Sequence, residues 1–163
     1  MAGMSLEFII ADLAKPAHQQ DVLRLVNMYA QDEMGGGHAL ASVVEARLLS
    51  GLRTHPTTII LLGYEDGDAV AIAVCFLGFS TFQAAPLLNV HDLAVAPEAR
   101  GRGVGRRLLE AVKDQAIRLG CCKITLEVLV RNERARHVYE DFGFQGAGSI
   151  AADHSMLFCT LDL

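Results

Sequence analysis

The chain has 163 residues, a formal net charge of −5 and a hydrophobic fraction of 52%. That length suits one hydrophobic core, so we expect residues 1–163 to form a single domain. No apolar run approaches the roughly 20 residues of a membrane-spanning helix, and the acidic balance disfavours a nucleic-acid partner. The first five residues carry neither a basic nor an apolar leader, so we expect a cytoplasmic protein without membrane or nucleic-acid partners.

Cysteine and histidine spacing disfavours disulfide and metal chemistry. Cys121 and Cys122 are adjacent, and the other two cysteines lie in apolar, strand-like segments. We therefore expect four reduced thiols that pack in the core. No cysteine pair has the C-x-x-C form and no histidine pair has metal-ligand spacing, so no metal is predicted.

The amino-terminal region is predicted to hold one strand and two helices. Leu6–Ile10 is typical of a strand. A helix follows Pro16, because apolar residues recur there every three to four positions, and Gly35–Gly37 ends it. A second helix is predicted from about Leu40 to Leu49, with Gly51 as its stop signal.

The period then changes to that of strands. Thr57–Tyr64 and Asp68–Phe79 are rich in β-branched and apolar residues. The Asp66-Gly67 pair between them predicts an antiparallel hairpin. A further strand is predicted over Leu87–Val95.

The carboxyl-terminal half alternates helix and strand. A glycine-rich segment opens a helix that ends at Gly120, and Ile124–Val130 is the next strand, parallel to the previous one because a helix intervenes. A short helix over about Asn132–Phe142 and two short strands around Ala151–Asp153 complete the chain. These elements predict an α/β fold of the mixed α+β type, with helices on both faces of a mixed sheet.

The segment Arg100–Arg106 carries the strongest chemical signal. It interleaves Gly101, Gly103 and Gly105 with arginines, between a strand and an amphipathic helix. Glycines let backbone N–H groups approach a phosphate, and a helix N-terminus adds unpaired donors and partial positive charge. A Walker A loop needs Lys before Ser or Thr, and the dinucleotide fingerprint needs a wider spacing of its third glycine. The loop therefore predicts binding of a pyrophosphate.

The loop resembles a known family signature. Arg100-x-x-Gly103-x-Gly105, between a strand and a helix, looks like the acetyl-CoA signature of the GNAT superfamily of N-acetyltransferases. Downstream, Asn132 and Tyr139 stand seven residues apart before a Gly-Phe pair, which resembles that family's second landmark. The resemblance implies a single GNAT-like domain with a central, mostly antiparallel mixed sheet that splays between two parallel central strands.

A finer resemblance concerns the acceptor. Leu88–Val95, with Phe79–Phe82 and Pro86, is most similar to the diamine and polyamine acetyltransferase branch. The resemblance implies acetyl-CoA as co-substrate and a small-molecule primary amine as acceptor, such as a diamine, a polyamine or an amino-acid-like amine. In that branch a Glu usually stands at the position of His91, and this departure puts polyamine specificity in question.

The resemblance also implies roles for individual residues. Backbone groups of the strand end would hold the pantetheine arm, the glycine-arginine loop would hold the pyrophosphate, the last helix would contact the thiol end, and Tyr139 would lie beside the sulfur. The implied cofactor-binding residues are Leu93, Ala94, Val95, Arg100, Gly101, Arg102, Gly103, Val104, Gly105, Arg106, Asn132, Ala135 and Tyr139.

The reaction itself needs a base, an oxyanion donor and an acid. An alkyl amine has a pKa of about 10, so it must lose a proton before it attacks a thioester. We predict His91 as the base, on one strand face with Leu93 and Val95, and Asp92 on the other face as a structural residue. The Leu93 amide, at a strand irregularity, is the expected oxyanion donor, and Tyr139 is the expected acid for the leaving thiolate.

Each assignment has a plainer alternative. Asn132 is also a favoured helix cap, Tyr139 suits a buried core position, and a strand histidine often has no catalytic duty. The acidic pair Asp32-Glu33 would either attract a cationic acceptor or be merely solvated. At the level of the whole protein, a protein N-terminal or lysine acetyltransferase and a non-catalytic acyl-CoA-binding module remain open. Exposed strand edges near Met156, Leu157 and Phe158 predict a homodimer through sheet contacts.

Overall fold

The structure, a computed structural model, describes residues 5–147 and 156–163. In chain order the elements are β1 (Leu6–Ile10), α1 (Pro16–Gln31), α2 (Ser42–Thr54), β2 (Thr58–Glu65), β3 (Asp68–Ser80), β4 (Ala85–Val95), α3 (Val104–Arg118), β5 (Lys123–Leu129), α4 (Glu133–Phe142), β6 (Gln145–Ala147) and β7 (Met156–Asp162). This confirms the order of strands and helices expected from the sequence.

Within the described residues, seven strands form one sheet in the order β1-β2-β3-β4-β5-β7-β6. Neighbouring strands are antiparallel except β4 and β5, which the crossover through α3 makes parallel. The β2–β3 hairpin turns through Asp66 and Gly67 at φ of 51° and 94°, the left-handed backbone that an Asp-Gly pair favours. The mixed, mostly antiparallel sheet confirms the expected fold class.

Helices cover both faces of the sheet. On the face called here the α1 face, α1 and α2 lie over the sheet, and α1 buries Val22 and Leu25 completely against Ile72 and its neighbours. On the opposite α3 face, α3 and α4 lie over the sheet, and α3 buries Leu108 and Val112. Each such side chain contributes about 1.5–3 kcal/mol when fully buried, so the apolar stripes of the helices hold the layers together.

The parallel strands β4 and β5 separate part of the way along. They pair only from Leu87–Lys123 to Val90–Leu126. Beyond that point β4 continues to Val95 on the side of β3, and β5 continues to Leu129 on the side of β7. The carboxyl ends of the two strands therefore enclose the splay that the family resemblance implied.

A β-bulge interrupts β4 just where the splay begins. Val90 pairs with Cys75, whereas Asp92 pairs with Val74, so His91 has no partner residue on β3. Val74 packs in the core of the α1 face, and directly paired residues point to the same face, which puts Asp92 on the α1 face as well. An extra residue of this kind bends the strand and re-aims the side chains that follow it.

The bulge decides which face each side chain of β4 meets. Leu93 and Val95 pack against the core of the α3 face. The His91 ring instead contacts Phe76, which packs on the α1 face. The expectation that His91 shares a face with Leu93 and Val95 is therefore wrong, because the extra residue resets the alternation. Asp92 does point away from Leu93 and Val95, as expected.

The second helix differs from its expected span. It was expected over about Leu40–Leu49 with Gly51 as its stop, but α2 covers Ser42–Thr54 and passes through Gly51. His55 is the C-cap of α2 and precedes Pro56. A proline disfavours helical backbone at the residue before it. The proline therefore sets the boundary, and Gly51 lies inside the helix.

The carboxyl-terminal strands also differ from expectation. The strand β7 lies between β5 and β6, but the short strand β6 covers only Phe158–Thr160 of it. Met156 and Phe158 are exposed, but Leu157 is buried. The homodimer stays a prediction, and the turn expected around Ala151–Asp153 lies outside the described residues.

The cysteines are reduced, as the sequence predicts. All four cysteines are free thiols, and Cys75, Cys121 and Cys159 are buried as expected. Burial raises the pKa of the Cys75 thiol to about 12, so this side chain acts as a packing group and not as a nucleophile. No helix in the described ranges is long and apolar enough to cross a membrane.

Candidate active site

The glycine-arginine loop presents backbone donors at the start of α3. Gly101 and Gly103 have φ of 76° and 79°, a left-handed backbone that side chains rarely adopt, and Gly103 caps the helix without a side-chain hydrogen bond. The N–H groups of Val104, Gly105 and Arg106 donate to no acceptor in the described part of the chain. These unpaired donors and the positive end of the helix dipole make this end of α3 suited to an anion.

Two arginines of the loop are engaged inside the protein. Arg100 donates from Nη2 to Asp32 Oδ2 at 2.9 Å and from Nε to the Val95 carbonyl at 2.8 Å. Arg102 donates to both carboxylate oxygens of Glu65, at 3.1 and 2.7 Å. The expected phosphate-facing charge of these two side chains is therefore partly balanced by carboxylates, and Arg100 also ties the end of β4 to the segment after α1.

The third arginine of the loop is more available. The Arg106 side chain is 55% exposed, and its Nε lies 3.5 Å from Glu110 Oε1, one turn further along α3. Its guanidinium also lies 5.7 Å from the centre of the Phe142 ring. Exposed ion pairs of this kind contribute little, so Arg106 can exchange Glu110 for a phosphate at small cost.

The splay leaves one edge of β4 unpaired beside the loop. From Asp92 to Val95, β4 pairs with β3 but with no strand on its other side among the described residues. Within this stretch Leu93 and Val95 point to the α3 face, whereas Ala94 is buried on the α1 face. Unpaired backbone groups on such an edge can hydrogen-bond an extended amide-containing chain as if it were another strand.

The helix α4 borders the far side of the splay. Asn132 is its N-cap, and the side-chain oxygen accepts a hydrogen bond from the Ala135 N–H at 3.2 Å. The capping role of Asn132, left open by the sequence, is thereby confirmed. Ala135 packs at the edge of the core, and Tyr139 lies one turn further along the helix.

Tyr139 is buried, and its hydroxyl has no hydrogen-bond partner among the described residues. The ring is only 8% exposed and packs edge-on against Phe144, with ring centres 5.7 Å apart. The hydroxyl donates to no acceptor in residues 5–147 or 156–163. It is not fully buried, because it is absent from the set of fully buried polar atoms that lack a partner in these residues. Burial, and then the nearby Tyr29 phenol, raise the pKa of Tyr139, so the group stays protonated at neutral pH.

The α1 face of the splay carries polar groups of its own. The exposed His91 ring lies edge-on to Phe76, with centres 5.6 Å apart. The neighbouring Asp92 is largely buried, and this burial raises the pKa of its carboxyl group. Burial and the negative charge of Asp92 also raise the pKa of Tyr29 on α1. The sequence did not indicate Tyr29 or Phe76 and assigned Asp92 only a structural role, because only the bulge and the packing of α1 bring these three residues together.

The acidic pair after α1 has a structural role at its first residue. The Asp32 carboxylate accepts a hydrogen bond from the Met34 N–H at 2.9 Å and forms the ion pair with Arg100. The Met34 N–H and then Arg100 lower the pKa of Asp32. The Asp32 carboxylate is therefore occupied by partners within the protein, and the structure does not support the alternative that Asp32 attracts a cationic acceptor.

Comparison with known proteins identifies the family. The model of the acetyltransferase (GNAT) family matches residues 23–144, which is well over half of the chain. The chain therefore belongs to the acetyltransferase (GNAT) family and is an acyltransferase. The match includes the glycine-arginine loop, the bulge, the splay and α4.

Two named N-acetyltransferases and one solved structure are similar to this chain. Thialysine N-epsilon-acetyltransferase of Mus musculus is 34% identical over 133 residues, covering 77% of this chain and 77% of its own length. An uncharacterized N-acetyltransferase of Bacillus subtilis, YhfO, is 35% identical over 101 residues, covering 62% of this chain and 67% of its own. A chain in the crystal structure of the NatC complex bound to Gag peptide and CoA has a TM-score of 0.74 at 19% identity, covering 98% of this chain and 99% of that one. At that identity the likeness shows the fold alone.

Proposed function

We propose that the protein transfers an acetyl group from acetyl-CoA to a primary amine of a small molecule. The observation that carries this proposal is the splay, which joins two chemically different faces of the sheet. Backbone donors at the start of α3 lie at one side of the opening, and His91 and Asp92 lie at the other. The thialysine relatives of cattle and mouse, whose name denotes an enzyme acting on an amine of an amino-acid-like molecule, support this acceptor class.

The cofactor assignment follows from the donors. The amides of Gly101, Gly103 and the first turn of α3 would bind the diphosphate. Arg106, the most exposed arginine side chain of the loop, and Arg102 would add positive charge beside these amides. Leu93, Ala94 and Val95 would hold the pantetheine amides along the open edge of β4. Arg100 would support the loop from behind, through its bonds to Asp32 and the Val95 carbonyl.

The chemistry then proceeds by direct attack. A base on the α1 face first takes a proton from the ammonium group. The neutral amine nitrogen then bonds to the thioester carbonyl carbon, the bond from carbon to sulfur breaks, and the nitrogen loses its second proton to solvent. Tyr139 gives its proton to the departing thiolate and recovers one from solvent, so the products are an N-acetyl amine and coenzyme A with a free thiol. A neutral phenol is needed for this step, and the raised pKa of Tyr139 keeps it neutral.

His91 and Asp92 are the two candidate bases. His91 is exposed at the bulge, where an incoming amine meets it first. Asp92 is partly buried beside it, and this burial raises the pKa of its carboxyl group toward the range that suits a base at neutral pH. We propose His91 as the base and Asp92 as the residue that takes over when the histidine is removed.

A titration and a turnover assay test the proposal together. Calorimetry with acetyl-CoA should show one-to-one binding, and a panel of primary amines should release coenzyme A in amounts equal to the acetylated amine. Binding without turnover on any small amine, combined with acetylation of protein amino groups detected by intact mass, would move the acceptor from small molecules to proteins. Binding without any turnover would leave a non-catalytic acyl-CoA-binding module.

A further inference from the structure

A shallow apolar groove runs between α2 and β3 on the α1 face. It has a volume of about 480 Å³, which lies within the range of pockets that hold small organic molecules. Val43, Val44, Leu48 and Leu52 of α2 form one wall, and the Phe76 ring forms part of the other. Val43 and Val44 are 56% and 43% exposed, an unusual cost for apolar side chains that serve only the fold.

The groove leads to the proposed base. The Phe76 ring contacts His55 at one edge, with ring centres 4.9 Å apart, and contacts His91 at another, with centres 5.6 Å apart. His55 lines the groove and His91 lies at the bulge. His91 does not line the groove itself, but the Phe76 ring that forms part of its wall also contacts His91, so an acceptor lying in the groove would pass the edge of this one ring to reach the proposed base.

The position of Gly51 keeps the groove open. This glycine lies inside α2, where glycine is less favourable than alanine, and it lines the groove. A Cβ added there would meet nothing within 4 Å. Packing therefore does not require a glycine at this position, whereas a larger side chain would fill the groove.

The charge of the groove selects against a second cation. Its lining contains Arg47 but no aspartate or glutamate. Among the described residues, Arg47 forms no ion pair, so its positive charge stays unbalanced at the rim. A diamine or polyamine would place a second ammonium group along this apolar groove and beside a guanidinium, with no carboxylate in the lining to attract it.

We infer that the groove binds the body of the acceptor, and that the acceptor is an amine with an apolar body and no second positive charge. This inference rests on the proposed function and narrows its substrate class, away from the diamines and polyamines that the sequence resemblance suggested and also from amino-acid-like acceptors such as the thialysine of the named relatives, which carry a second ammonium group. Binding energy would come from apolar contact along α2, and the amino group would emerge beside His91.

Matched acceptors test the inference directly. Hexylamine and 1,6-diaminohexane have the same carbon chain and differ by one ammonium group. We expect kcat/KM for hexylamine to exceed that for the diamine by at least about tenfold, and to rise severalfold per methylene from ethylamine to hexylamine. Equal or better use of the diamine would overturn the inference.

Variants at the glycine locate the binding surface. Gly51→Leu should raise the KM for hexylamine at least about tenfold, while kcat/KM for ethylamine and the affinity for acetyl-CoA stay within about twofold of wild type. Gly51→Ala is the matched control, which should keep the hexylamine KM and raise the melting temperature. Unchanged hexylamine kinetics in a folded Gly51→Leu protein would overturn the inference but leave the proposed function intact. Absent acetyl-CoA binding in the wild type would instead defeat the proposed function.

Discussion

The proposed cofactor side and the proposed acceptor side of the splay are built from different chemical groups. The proposed cofactor side consists mostly of backbone N–H groups contributed by consecutive residues at the start of α3. The proposed acceptor side consists of side chains from α1, β3, β4 and the end of α2, which only the tertiary fold brings together. The first side should therefore depend on backbone conformation, and the second on the identity of individual side chains.

A backbone change in the loop should have the largest effect. In Gly103→Val, a β-branched residue would be strained at the φ of 79°, so the backbone that aims the amides of the first turn should shift. We expect the affinity for coenzyme A, measured by calorimetry, to fall by at least about 100-fold, because several charge-assisted hydrogen bonds weaken together. Gly120→Val, at a φ of 70° at the other end of α3, is the control: it should lose similar stability and keep its affinity. Equal loss of affinity in both variants would show that general strain, and not the loop, is responsible.

Loss of the proposed acid should come next. Tyr139→Phe removes one oxygen from a ring that stays packed against Phe144. We expect kcat to fall by about 100-fold, within the usual range for a general acid, while the affinity for coenzyme A stays unchanged. Stopped-time assays on wild type and variant with the same amine measure this, and an unaltered kcat would remove Tyr139 from the reaction.

The two candidate bases should separate in their pH profiles. Burial raises the pKa of Asp92, so its carboxylate form is lost at a higher pH than for an exposed aspartate as the solution is acidified. If His91 is the base, His91→Ala should lower kcat/KM by about tenfold or more, and the remaining activity should decline in acid with the titration of Asp92. Asp92→Asn should then have the smaller effect on its own. The reverse order would make the buried carboxylate the base and His91 a wall of the acceptor site.

The smallest effect should appear where the two sides are joined. Asp32 and Arg100 link the segment after α1 to the glycine-arginine loop through a partly exposed ion pair. Asp32→Asn should therefore cost about 0.5–1 kcal/mol of stability. The folded-state pKa of Asp32 is lowered, so its contribution is present above the unfolded pKa and fades as pH falls through the folded one. Urea unfolding of Asp32→Asn, Arg100→Met and the double variant at pH 7 and pH 3 checks both points. Additive losses at pH 7 would mean that the pair is not coupled.

The difference between backbone groups of one segment and side chains from several elements also explains which parts of the site could be predicted from the sequence. The loop from Arg100 to Arg106 is a local pattern, so glycine spacing and the strand-helix context identified it without any tertiary information. The Asn132 cap and Tyr139 were likewise readable, because both lie in one short helix. The fold class followed from the order of strands and helices.

The acceptor side was not predictable in the same way. A bulge leaves no mark in composition or alternation, so His91 was assigned to the wrong face. Gly51 looked like a helix stop, although Pro56 sets that boundary. Asp32 and Arg100 are 68 positions apart in the chain, and nothing local indicates that they meet.

Binding of the diphosphate of coenzyme A by the backbone amides at the start of α3 is the proposal on which the cofactor assignment depends. A calorimetric comparison of coenzyme A with pantetheine tests it, because pantetheine keeps the thiol arm but lacks the diphosphate and the nucleotide. We expect coenzyme A to bind at least about 100-fold more tightly, and we expect Gly103→Val to remove most of this advantage. Equal affinities for the two molecules, or an advantage that survives in Gly103→Val, would contradict it.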